Sequence, residues 1–247
     1  MLENAIAHDY IASSSLCDAQ GLLGVKSIFD ICMDLASEHA LRLGVGYADM
    51  SAHGCYWLAI RTRVRLYGRP AMDAAFTAET WPAKPGRVKH DRFYRFAHGG
   101  EVFAEGRTEW AVQDVTTGAI VRKNTYGWPD DLVVREETVC AEPFTLFRDM
   151  TPPPEAPALT YAVSSMDIDL GGHMNNVAYI RMLLSSFTTA ELAAMDVAEL
   201  EISYRRACYE GETLTVLRRR EAYGWLFQVV KPDGETAVHA RFCLRGV

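Results

Sequence analysis

Between residues 24 and 43 the apolar side chains recur at three- and four-residue steps. Val25, Ile28, Phe29, Cys32, Leu35 and Ala36 would share one face of a helix over Gly24–Leu43. Gly44 follows as a stop signal. Beyond it the period changes to two. Thr62, Val64 and Leu66 alternate with Arg61, Arg63 and Arg65, the pattern of a strand with one covered face. Strands are predicted near Tyr56–Tyr67, Ala74–Trp81, Val88–Ala97, Val102–Val115 and Ala119–Arg122. Gly99-Gly100 and Thr117-Gly118 mark the reversals.

The same order then recurs. A strand near Leu159–Val163 leads to a helix near Asn175–Phe187. Strands follow near Leu200–Arg206, Thr213–Arg218, Trp225–Val230 and Ala237–Leu244. Local echoes support a duplication: Gly100-Glu101 stands before Arg107 as Gly234-Glu235 stands before Arg241, and Asp18 and Asp169 each precede a helix. Between the copies runs Thr151-Pro152-Pro153-Pro154-Glu155-Ala156-Pro157, which favours extended, non-packing backbone. The expected division is a repeat over 1–147, a linker over 148–157 and a repeat over 158–247. One long helix per repeat followed by a run of antiparallel strands is α+β. A sheet wrapped around such a helix is the hotdog arrangement, so the expected architecture is two hotdog repeats in one chain.

The 247 residues suffice for that core. The net charge of −7 argues against general nucleic-acid affinity. Two basic clusters, Lys84/Arg87/Lys89/Arg92 and Arg218/Arg219/Arg220, read either as solvated surface or as docking points for an acidic partner. The six cysteines form no CxxC pair and the seven histidines are scattered, so neither a disulfide framework nor a metal site is expected. The opening residues lack a signal-peptide pattern, and no apolar run is long enough to span a bilayer. A cytoplasmic protein without membrane insertion is the expectation.

Met166 to Ile180 is where chemistry is concentrated. Gly171 and Gly172 allow a sharp turn, and Asn175 is a candidate N-cap. The helix start offers amides and a positive dipole end to a developing oxyanion, with Asn175 and Asn176 nearest. Asp169 and His173 could hold and activate water there. Each has a plainer alternative: Asp169 as a turn cap, His173 as a packed histidine, the asparagines as structural residues. Cys208 reads as a nucleophile only if its thiol were activated, and otherwise as a buried core residue.

This segment resembles the signature of the acyl-acyl carrier protein thioesterases, a plant and bacterial family with tandem hotdog domains. Asp167, Asp169, His173, Asn175, Asn176 and Tyr179 match its Asp-x-Asp-x-Asn-x-His-x-Asn-Asn-x-x-Tyr pattern. Tyr204-Arg205-Arg206-Ala207-Cys208 is similar to a downstream family strand, and Tyr67-Gly68-Arg69-Pro70 through Thr80-Trp81 to first-domain strands. The resemblance implies hydrolysis of acyl chains carried on the phosphopantetheine arm of acyl carrier protein, with no cofactor or metal. It gives Asp169 the carboxylate role, His173 the histidine role, and amides near Asn175 the oxyanion. Leu22 stands where His173 would align in the first repeat, so that repeat would line the substrate rather than react.

Two positions depart from the family. Gly171 replaces an Asn and Ala207 replaces a Glu. The outcomes left open are a slower enzyme, use of another group such as Glu210, or lost activity. An acyl-CoA thioesterase of the same fold and a non-catalytic acyl or acyl-carrier-protein binder are the competing readings. Internal pairing of the repeats, or a homodimer, would cover the sheet edges.

Overall fold

The computed structural model describes residues 4–246. The chain divides into two compact units between Glu142 and Pro143. The first contains β1 (Ile6–Ile11), α1 (Val25–Arg42), α2 (Tyr47–Ala52), β2 (Cys55–Leu66), β3 (Ala75–Pro82), β4 (His90–His98) and β5 (Glu101–Asp114). Its strands pair antiparallel in the order β1-β3-β4-β5-β2. The second contains β6 (Leu159–Ala162), α3 (Asn176–Leu184), α4 (Thr189–Ala193), β7 (Val197–Tyr204), β8 (Thr213–Glu221), β9 (Gly224–Val230) and β10 (Thr236–Leu244). Here the order is β6-β8-β9-β10-β7. Strand for strand this is the first unit's order, so each unit is one copy of an α+β hotdog repeat.

α1 forms because its apolar stripe has somewhere to go. Ile28, Phe29, Ile31, Cys32 and Leu35 are buried, as is His39 one turn further on. Gly44 ends the helix at φ +72°, a backbone conformation that glycine adopts without a Cβ clash. The sheet alternates as the sequence suggests: Thr62, Val64 and Leu66 lie on one face and Arg61, Arg63 and Arg65 on the other, where Arg63 is itself buried. β1 has no counterpart among the predicted strands because Ala7-His8-Asp9 interrupts its alternation. Ala119–Arg122 makes only an isolated bridge at Ile120, after which Tyr126 and Trp128 turn into the core beside Trp57.

α3 is half the length of α1, nine residues against eighteen, and shorter than the predicted Asn175–Phe187. Ser185 and Ser186 donate their hydroxyls back to the carbonyls of Arg181 and Leu183, which closes the helix. Thr188 and Glu191 then cap α4 reciprocally. Phe187, freed from the helix, packs against Trp225, Phe227 and Phe242.

The segment that precedes the proline run packs as a strap. In the first unit Trp81 donates its indole N–H to the Glu137 carbonyl, Val139 packs on Trp81 and Phe93, and Arg63 and Arg107 donate to the carbonyls of Glu142 and Ala141. In the second, Thr145 donates its amide and hydroxyl to buried Glu201, Arg205 reaches the Phe147 carbonyl, and the Met150 amide bonds Gln228. The division thus falls before the expected end of the first repeat at 147. Residues 148–150 already belong to the second unit, and the exposed extended stretch begins at Thr151. Among the described residues no helix is long and apolar enough to cross a membrane.

Candidate active site

The loop before α3 is a tight reversal. Ile168 and Met174 bridge across it, the Asp169 amide donates to the His173 carbonyl, and the Gly172 amide donates to the Asp169 carbonyl. Gly172 takes φ +75° at the bend. Two further bonds tie the loop down: the Met174 amide to the Cys208 carbonyl at 2.8 Å and the Asn175 amide to the Asp167 carbonyl at 2.7 Å.

Asp167 anchors the base of the loop. Its carboxylate is fully buried and accepts from the Ser164 amide and hydroxyl, the Tyr161 hydroxyl and the Arg181 guanidinium. Burial pushes its pKa up, but these donors outweigh burial and hold it below the ordinary Asp value. The motif resemblance had not marked this anchoring role. The spacing Ser164-x-x-Asp167, a capping box, was the legible signal for it.

Asp169 and His173 are brought together. His173 Nδ1 lies 3.7 Å from Asp169 Oδ1, an ion-pair distance too long for a hydrogen bond. The Gly171 amide donates to Asp169 Oδ1 at 2.8 Å. Both side chains are partly exposed, while the His173 Nε2 atom itself is buried against Gly171. Gly171 is integral to this geometry. A Cβ built there would stand 2.9 Å from His173 Nε2 and 3.1 Å from Asp169 Oδ1. The imidazole therefore occupies volume that any other residue at 171 would fill.

The remaining candidates separate. Asn175 is structural: its amide is spent on Asp167 and its side-chain oxygen accepts from the Val177 amide at 2.7 Å as the N-cap of α3. It cannot also donate to an oxyanion through its amide. Among the described residues no acceptor takes the Asn176 amide, and the Asn176 carbonyl accepts from the Tyr204 hydroxyl. Cys208 is fully buried, and burial pushes its thiol pKa up, the opposite of what an activated nucleophile needs. Its carbonyl, rather than its sulfur, serves the loop. Glu210 is exposed on the turn bent at Gly211. Its neighbour Glu212 is the engaged carboxylate: it accepts from the Tyr209 amide and pairs with Lys231, which donates to the Ala207 carbonyl.

The first unit repeats the loop almost bond for bond. The Asp18 amide donates to the Leu22 carbonyl, the Gly21 amide donates to the Asp18 carbonyl, and Gly21 has φ +70°. The Leu23 amide donates to the Pro70 carbonyl, as Met174 does to Cys208. Asp18 accepts from the Gln20 amide as Asp169 does from Gly171. Two differences are chemical. Leu22 replaces the imidazole, and Arg69, the residue before Pro70, ion-pairs with Asp18 and donates to the Leu23 carbonyl. Ala207 holds the equivalent position before Cys208. The first carboxylate is clamped; the second is not.

The fold and this loop define a tandem hotdog protein carrying a carboxylate–imidazole pair on its second repeat. Residues 151–242 match the acyl-ACP thioesterase C-terminal domain family. The oleoyl-acyl carrier protein thioesterase 2 of Arabidopsis thaliana, a chloroplastic protein, is 24% identical over 220 residues, covering 80% of this chain and 58% of that one. A palmitoyl-acyl carrier protein thioesterase of Gossypium hirsutum is 23% identical over 206 residues, covering 78% and 49%. The chain thus spans about half to three-fifths of the length of these relatives. An acyl-ACP thioesterase from Bacteroides thetaiotaomicron superposes with a TM-score of 0.88 over 98% of both chains at 20% identity. The 12:0-ACP thioesterase from Umbellularia californica does so at 0.80 over 99% and 98%, at 15% identity. The second unit thus matches the acyl-ACP thioesterase C-terminal domain family, and the whole chain shares the fold of these structures.

Proposed function

We propose that this protein hydrolyses fatty acyl thioesters carried on acyl carrier protein, releasing the free fatty acid. The observation that carries the reading is the Asp169–His173 pair, held on a pinned loop at the start of α3 and partly exposed. Asp169, its Oδ1 fixed by the Gly171 amide, takes a proton from water, and the hydroxide attacks the thioester carbon. The Asn176 amide at the positive end of α3 receives the oxyanion. Collapse breaks the carbon–sulfur bond, and the phosphopantetheine sulfur takes up a proton by way of His173. The unclamped state of Asp169, against the clamped Asp18, supports placing the reaction in the second unit and giving the first a substrate-lining role.

Steady-state hydrolysis of an acyl-carrier-protein chain-length panel tests this, with the matching acyl-CoA series beside it. Asp169→Ala and His173→Ala should each lower kcat by about 10²–10⁴-fold, the range of a lost acid–base group. Turnover on coenzyme A alone would reassign the carrier. Binding of acyl carrier protein without turnover would make the protein a non-catalytic acyl binder. Unchanged kcat in both variants would move the site elsewhere.

A further inference from the structure

The peptide that joins Asn176 to Val177 is held at both of its ends. Its N–H donates to Asn175 Oδ1 at 2.7 Å, and its carbonyl oxygen accepts from the Tyr204 hydroxyl at 3.2 Å. A carbonyl oxygen has two lone pairs, so the phenol adds to the helix's own bonding rather than displacing it. Tyr204 ends β7, and its ring stands T-shaped to that of buried Tyr179, 5.7 Å between centroids. Tyr179 lies against Cys208, whose carbonyl takes the Met174 amide. The first turn of α3 is thus fastened to the sheet by a side chain that belongs neither to the helix nor to its loop.

The first unit builds the same fold without this fastening. Leu66 occupies the place of Tyr204 by two independent counts. It stands four residues before Pro70, which receives the Leu23 amide as Cys208 receives that of Met174. It also pairs with Ala104 on β5 as Tyr204 pairs with Val238 on β10, and each of those partners lies three residues beyond the Gly-Glu of its hairpin. Gly24 likewise replaces Asn175, and α1 starts without a side-chain cap, yet it is the longer helix. Where Leu22 stands for His173, then, Leu66 and Gly24 stand for Tyr204 and Asn175. The polar attachment accompanies the Asp169–His173 pair, not the fold.

We infer that Tyr204 is a positioning residue for the reaction: its hydroxyl fixes the first turn of α3 against β7 and so sets where the Asn176 amide meets the oxyanion. The inference rests on the hydrolase reading, in which that amide is the donor. An oxyanion donor acts only at hydrogen-bond distance from the place where charge develops. A displacement of about an ångström removes much of its effect. The phenol also polarises the peptide it bonds, which strengthens the Asn175 cap in series with it.

Tyr204→Phe in the full chain deletes the hydroxyl and keeps the ring. Tyr204→Leu installs the residue that the first unit already accommodates, which preserves the test if the phenylalanine variant does not fold. Hydrolysis of the acyl-carrier-protein panel, thermal unfolding and amide NMR are read together, beside Asp169→Ala. Each Tyr204 variant should lower kcat by about tenfold and leave KM within about twofold, because the donor is displaced while the substrate contacts are kept. Tm should fall by no more than about 4 °C, the scale of one lost hydrogen bond. The pH profile of kcat should keep the parent's shape, since neither Asp169 nor His173 is altered. The Asn176 and Val177 amide resonances should move, and those of Val25 and Lys26 should not. A kcat equal to the parent's, unmoved Asn176 and Val177 resonances, a raised KM at unchanged kcat, or a displaced pH profile would each overturn the inference. If Asp169→Ala abolishes turnover and Tyr204→Phe does not lower it, this inference alone is lost. A parent chain that turns over no acyl-carrier-protein thioester removes the hydrolase reading and this one with it.

Discussion

At the scale of single residues, the informative position is Gly171. Its backbone lies outside the left-handed region, so a side chain there meets no φ strain. What a side chain meets instead is the ends of His173 and Asp169, and both can swing aside. The fold should therefore tolerate the change while the site does not. We expect Gly171→Ala to leave Tm within about 2 °C, since surface changes without a structural partner cost little. It should lower kcat by about 10²-fold, the effect of misplacing a reacting group by an ångström. Thermal unfolding and steady-state hydrolysis on one preparation separate the two effects. A kcat equal to the parent's would show that His173 need not sit against Gly171. Gly171 reads in sequence as a missing side chain, whereas in space its volume is taken by His173.

At the scale of elements, the two helix-opening loops are a natural comparison of one backbone with two chemistries. Asp18 and Asp169 accept the same amide two residues on, and both loops bend at a glycine of positive φ. The residue beyond the loop decides availability: Arg69 neutralises Asp18, and Ala207 leaves Asp169 open. Ala207→Arg should install that clamp in the second repeat. The expected result is loss of nearly all hydrolysis with Tm unchanged or raised, measured against Ala207→Met as a control for bulk. Full activity in the arginine variant would separate the loops despite their shared bonds. Much at this scale was legible from periodicity. α1 and the strands from β2 through β5 and β7 through β10 fall within a few residues of the pattern, because alternation and the α1 stripe are strong and the covered faces are apolar. The Gly-Glu…Arg echo also has a structural meaning, since Arg107 and Arg241 occupy the equivalent strands β5 and β10. β1, α2 and α4 were not legible, because each is short and takes its order from tertiary neighbours rather than from its own period. The pair Asp169–His173 could be read from its spacing, but Arg69, seen only as part of a family-like strand, could not be joined to Asp18 across 51 residues.

For the molecule as a whole, the question is what the chain between the last strand of the first unit and the first strand of the second is doing. A proline-rich stretch suggests a spacer, and a spacer leaves its amides to water. The amides of Thr145 and Met150 are instead spent on buried acceptors, Glu201 on β7 and Gln228 on β9, and Phe144, Phe147 and Met150 are buried. Removing either acceptor would leave a buried polar group unpaired, a cost of about 1–3 kcal/mol. The segment is thus part of the second unit's fold, although the family match begins only at residue 151. Hydrogen exchange resolves the two descriptions, because protection measures the free energy needed to expose each amide. The Thr145 and Met150 amides should exchange with the slow core strands, while Ala156, exposed within the proline run, should exchange at an unprotected rate. Glu201→Ala and Gln228→Ala should each release the matching amide more than the other. If Thr145 and Met150 exchange as fast as Ala156 in the parent chain, residues 143–150 are a spacer after all, and the covering of β7 and β9 has to come from elsewhere.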